Sequence, residues 1–362
     1  MNHTALLDEL NKNAHLTWLE TVEPLEQHND ARKYRTVDST GDWFLDHSFK
    51  HWKIKSKSFV WLTGKRKTSV FNMKIIEQFV IITLSIAGSG KTVLSSTIID
   101  KLEEDPEANV LYYYFSFRQE SKQDVTKFKR SLLMQLVRHL TREDEVRKGY
   151  FHVPHVFQKL YKKYSHSQFP LDEHINATMA GLLSESKQTY IVVDAVDECP
   201  SQVDQATIIS FLGDLCRSSH GGAHVLVTSR RESNIETSVT NLDIDKEKVL
   251  MDTEKINIDI KSYLLDSLGR QPWKSWPARL KKKVAKTLTS KADGVFRVSR
   301  VVIFSYFGLF YLVAITKSEH ILTFFSCSGQ PSNLNRSGTR KETRMLKVLC
   351  KVYLKTWKRH MK

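Results

Sequence analysis

Small residues leading into a lysine and a threonine at the mouth of a helix form a constellation that can hold phosphate. The run Ala87-Gly88-Ser89-Gly90-Lys91-Thr92 is of this kind, with Val93, Leu94 and Ile98 continuing it at helical spacing. Glycines let backbone N–H groups turn inward around phosphate oxygens, and the helix N-terminus adds partial positive charge. Lys91 then reaches the β- and γ-phosphates of a nucleotide, and the Thr92 hydroxyl ligates magnesium.

Two further clusters suit the same chemistry. Tyr190-Ile191-Val192-Val193-Asp194 reads as a buried strand ending in an acid, which puts Asp194 at the carboxyl edge of a sheet as a magnesium ligand acting through water. Asp197 and Glu198 follow in the turn beyond, where either can orient an attacking water near a γ-phosphate. His224-Val225-Leu226-Val227-Thr228-Ser229-Arg230 is a third apolar run with a polar tip, and Arg230 there can report whether a γ-phosphate is present. Each cluster alone has an ordinary structural explanation. In this order they support one another.

The elements that must position these residues follow from periodicity. From Phe59 the chain alternates short apolar runs with helical stretches: FVWLTG, VIITLS, a helix after Lys91, VLYYYFSF, a long helix, YIVVD, another helix, then HVLVTS. That alternation predicts an α/β fold of the P-loop NTPase type, a parallel sheet with helical crossovers. Residues 1–57 read as a helical, polar lead-in rather than a core, with Leu6, Leu7, Leu10, Leu16, Trp18 and Leu19 at helical spacing. A small C-terminal helical region is expected over Asp259 to Ala292, with Ile260, Tyr263, Leu264 and Leu268 on one face and Leu280, Val284 and Leu288 on another. The expected divisions are 1–57, 58–297 and 298–362.

The succession GSGKT, YIVVDAVDE and VLVTSR resembles the NACHT class of signal-transduction ATPases, most closely the nephrocystin-3-like N-terminal domain of fungal NOD-like receptors. DSTGDWFLDHSFKHW, RSLLMQL and KADGVFR extend the resemblance over roughly Arg32 to Arg297. It implies a regulated switch that binds ATP or GTP with magnesium, hydrolyses it slowly and works by self-association. Those roles would fall on Lys91, Thr92, Asp194, Asp197, Glu198 and Arg230. Arg231 stands where the family usually has proline.

Two segments depart from that pattern. Trp61-Leu62-Thr63-Gly64 would run straight into Ile86-Ala87-Gly88 if residues 65–85 were absent, and the complete motif would then be restored. KRKTSVFNMKIIEQFVIITLS therefore reads as an insertion, most simply a translated intron; kept in the protein, Phe79 to Leu84 can serve as a substitute first strand, with Ser85 in place of the first glycine. The second departure is VVIFSYFGLFYLVAIT, residues 301–316, which is apolar but shorter than the ~20 residues a membrane helix needs. A membrane anchor, a buried helix and a further unspliced segment are its three readings, and the last is preferred.

The formal charge of +15 is concentrated: residues 65–85 and 298–362 carry thirteen of the fifteen charges. The remainder is near neutrality, which argues against a nucleic-acid-binding surface. Cys199, Cys216, Cys327 and Cys350 have no CxxC spacing and suit a reducing, cytoplasmic setting. Two other functions fit parts of the pattern: a nucleotide-independent scaffold with an interrupted loop, and a P-loop kinase, against which the DAVDE arrangement argues.

Overall fold

Five runs rich in β-branched and aromatic residues pair into one parallel sheet in a computed structural model of the chain. They are β1 (Phe59–Gly64), β2 (Ala108–Tyr114), β3 (Gln188–Asp194), β4 (His224–Arg230) and β5 (Lys246–Leu250), in the order β2-β3-β4-β1-β5. The structure describes residues 18–64 and 90–294, apart from 149–152, 165–168, 219–221 and a few single positions. These described residues belong to one compact unit.

FVWLTG holds the place beside β4 in the sheet, paired in parallel from Phe59 with Val225 to Gly64 with Arg230. VIITLS, the expected substitute, lies outside the described residues, as do residues 65–89 as a whole. Two expectations need adjusting. The run VLYYYFSF leaves the sheet after Tyr114, and β5 was not anticipated. Lys246-Glu247-Lys248-Val249-Leu250 carries charge along an edge strand, a pattern that discourages pairing with other chains but hides the strand from a hydrophobicity reading. Lys248 lies over the Trp61 ring, 5.0 Å from its centroid, which ties that edge to its neighbour.

Helices cover both faces, which explains why the central strands read as nearly continuous apolar runs. On one face lie α1 (Leu25–Lys33) and α2 (Lys91–Glu103), with α2 packed on β2, β3 and β4. The other carries α3 (Val125–Lys148), α4 (His155–Tyr164), α5 (Asp172–Glu185), α6 (Gln202–Arg217) and α7 (Ser233–Thr240). Their apolar residues form one cluster with Trp61, Leu111, Tyr113, Ile191, Val193, Val225 and Val227, alternate positions along β1 to β4.

The C-terminal helical region is two helices, α8 (Thr253–Gly269) and α9 (Ala278–Ala292). The expected single stretch is interrupted after Gly269 and resumes beyond Pro277. Ile260, Leu264 and Leu268 are buried as their spacing predicts, whereas Leu280 is exposed and Ala285 and Ala292 are the buried positions described on α9.

The lead-in is more than an appendage. Leu19 joins the core cluster, and Phe44 and Trp52 are fully buried. Trp18 meets Tyr161 edge-on at 5.3 Å. The Trp52 carbonyl accepts from Ser58 Oγ at 3.0 Å, and its ring packs on Tyr190 and His224. Between α1 and β1, helical turns over Asp42–Phe44, Leu45–Phe49 and Lys50–Ile54 carry these aromatics. Gly41 opens them at φ +94°, a conformation that favours glycine. Its N–H and the Trp43 indole N–H both donate to Asp259 Oδ2 on α8, at 3.1 and 3.2 Å.

Candidate functional site at the carboxyl edge of the sheet

Gly90 caps α2 at φ +82°, a left-handed turn that sets Lys91 and Thr92 at the helix mouth. Lys91 is buried and Thr92 exposed, so one side chain faces the sheet edge while the other stays accessible. Asp194 ends β3 beneath them, 2 % exposed. Thr92 Oγ1 donates to its Oδ2 at 2.7 Å, Ser95 Oγ to its Oδ1 at 2.8 Å, and Thr228 Oγ1 on β4 to the same Oδ1 at 2.7 Å.

The electrostatics follow from burial. Removal from water pushes the Asp194 carboxyl above the usual carboxylate range, against three hydroxyl bonds and the nearby Lys91 charge that favour its ionised form. The same burial lowers Lys91, against the attraction of Asp197 and Asp194. A buried ammonium and a buried carboxylate thus stand close together at the sheet edge, each deprived of hydration.

Beyond Asp194 the chain turns sharply. Ala195 is left-handed at φ +59°, which a small residue tolerates best. Its N–H donates to Thr228 Oγ1 at 3.0 Å, and its carbonyl accepts from Glu198 N–H at 2.8 Å. The two acids that follow part company. Asp197 is committed to Arg230: Oδ1 accepts the Arg230 backbone N–H at 2.9 Å and Oδ2 meets the guanidinium Nε at 3.2 Å. Glu198 accepts the Phe117 N–H at 3.3 Å, and burial pushes its carboxyl up to about 7.

Lys91, Thr92, Asp194, Asp197, Glu198 and Arg230 therefore lie together where α2 begins and β3 and β4 end. Ala87, Gly88 and Ser89 lie outside the described residues. Ser95 and Thr228 were missed from sequence, since a serine in a helix and a threonine in a strand carry no signal of their own. Among the described residues the three side chains hydrogen-bonded to Asp194 are hydroxyls, hard oxygens of the class that hard divalent cations take as ligands.

Comparison with known families agrees in part with this arrangement. Residues 74–230 match the family model described as Nephrocystin 3, N-terminal. That span begins inside the 65–85 stretch, takes in α2 to β4 and ends at Arg230; it fits a NACHT-like N-terminal region. No curated protein matches the chain. Among the described residues, no helix is long and apolar enough to cross a membrane. Residues 301–316 lie outside them.

Proposed function

We propose that the chain is a magnesium-dependent nucleoside-triphosphate switch of the NACHT type, binding ATP or GTP at the carboxyl edge of its sheet and hydrolysing it slowly. The observation that carries this reading is the pairing of Thr92 with Asp194 beside the buried Lys91. Chance glycine-rich turns do not bring a hydroxyl from the following helix onto a buried strand-end carboxylate.

Lys91 binds the β- and γ-phosphates, while Thr92 and Asp194 hold magnesium, which when bound neutralises charge on those phosphates. Glu198 is the better water-orienting group, because both oxygens of Asp197 are occupied by Arg230. Asp197 serves as the holder of Arg230 instead. The Arg230 side chain is 38 % exposed while Asp197 is 3 % exposed, so exchanging this contact for a γ-phosphate oxygen leaves a buried Asp197 oxygen short of a partner, a cost the phosphate contact has to exceed. A switch reads triphosphate against diphosphate by such an exchange. Self-association through this domain belongs to the same proposal.

A second reading has its own observation. Twenty-five residues, 65–89, separate β1 from Gly90, where the resembled motif runs on directly, and that suits a scaffold with an interrupted loop. Equilibrium binding of fluorescent ATP with magnesium separates the two, using the full chain, Lys91→Ala and a chain lacking residues 65–85. Magnesium-dependent binding by the full chain, lost by at least ~100-fold in Lys91→Ala, supports the switch. Binding only after the deletion supports an interrupted loop, and binding by none of the three overturns the nucleotide reading.

A further inference from the structure

The helix α2 presents three consecutive hydroxyls. Ser96 and Thr97 do what such residues do in helices, donating back to the Val93 carbonyl at 2.7 and 3.1 Å. Ser95 instead reaches out of its helix to Asp194 Oδ1. On β4 a second hydroxyl makes the same choice. Thr228 Oγ1 accepts the Ala195 N–H, so its single proton is directed to Asp194 Oδ1. Both residues are fully buried.

The two carboxylate oxygens are consequently unlike. Each oxygen offers about two lone-pair directions. Those of Oδ1 are both taken by buried, fixed donors. Among the described residues Oδ2 receives Thr92 alone, which is exposed and sits where a ligand would approach. We infer that Thr228 and Ser95 are positioning residues that tie Oδ1 of Asp194 to the protein, so that Oδ2 alone is offered to a divalent cation or its bound water. This rests on the nucleotide-site reading above and adds to it a geometry for the metal: one oxygen, fixed in direction, with the Thr92 hydroxyl beside it. Through Ala195 the same threonine also fixes the turn that leads to Asp197 and Glu198.

The test uses the full chain with Thr228→Val, which keeps the shape and removes the hydroxyl, Thr228→Ser, which restores it, and Ser95→Ala. Fluorescent ATP affinity is measured in EDTA and in magnesium, and binding of Mn2+ with a non-hydrolysable ATP analogue is followed by electron paramagnetic resonance. The expectation is an EDTA affinity within about threefold of the parent in every variant, with the gain conferred by metal reduced at least ~10-fold in Thr228→Val and recovered in Thr228→Ser. Ser95→Ala loses part of that gain and gives the decision if Thr228→Val does not fold. Variants that melt like the parent yet keep the whole metal-dependent gain overturn the inference while leaving the nucleotide site standing. A parent chain with no metal-dependent gain overturns the site and the inference together.

Discussion

Glu198 carries a carboxyl that burial raises from about 4.5 to about 7, and this has two measurable consequences. Between those values the folded chain holds a proton the unfolded chain has lost, so this group's contribution to stability is present at low pH and disappears as pH rises through 7. Glu198→Gln lacks that titration. Its melting temperature relative to the parent should therefore climb from pH 5 to pH 8, and a pH-independent difference in thermal unfolding would refute the assignment. Hydrolysis, if Glu198 orients water as its carboxylate, should rise with pH through 7 in the parent and fall about 100-fold in Glu198→Gln, with nucleotide binding kept. At this scale the gathering of Lys91, Thr92, Asp194, Asp197, Glu198 and Arg230 at one sheet edge was legible, because each stands at or just beyond the end of an apolar run or at the start of a helix. The division of labour between Asp197 and Glu198 was not, since it depends on where Arg230 lies, and Thr228 and Ser95 are told apart from ordinary threonines and serines only by their partners.

Gly41 shows how the segment ahead of the sheet is fitted to α2. Its φ of +94° disfavours any side chain, and a Cβ there would stand 2.7 Å from Leu94 Cδ1 in the first turn of that helix. Gly41→Ala should cost about 1–2 kcal/mol from the left-handed backbone alone, read as a lower urea midpoint with unchanged slope. An unaltered midpoint would mean that the turn is not held as described. The strands β1, β3 and β4 could be read from sequence because burial on both faces makes them uniformly apolar. The strand β5 could not, for among the described residues it pairs with β1 only, and three of its five residues are lysine or glutamate. The separation of α8 from α9 needed the prolines to be weighed above the helical spacing on either side.

For the molecule as a whole, residues ahead of β1 are part of the core. Leu19, Phe44 and Trp52 are all fully buried, and losing side chains of this size costs roughly 2–5 kcal/mol each. Since a domain's total stability is only about 5–15 kcal/mol, a chain starting at Ser58 should fail to fold cooperatively; a sharp thermal transition by circular dichroism for residues 58–362 would contradict this. The strand order sets a further condition, one of timing. Among the described residues β1 pairs with β4 and β5, both more than 160 residues later in the chain. At a synthesis rate of about 5–20 residues per second, the FVWLTG strand leaves the ribosome on the order of ten seconds or more before its first partner exists. Through that interval neither edge of this apolar strand has the partner it takes in the sheet, so it stands open to association with other nascent chains, and its protection would fall to a chaperone.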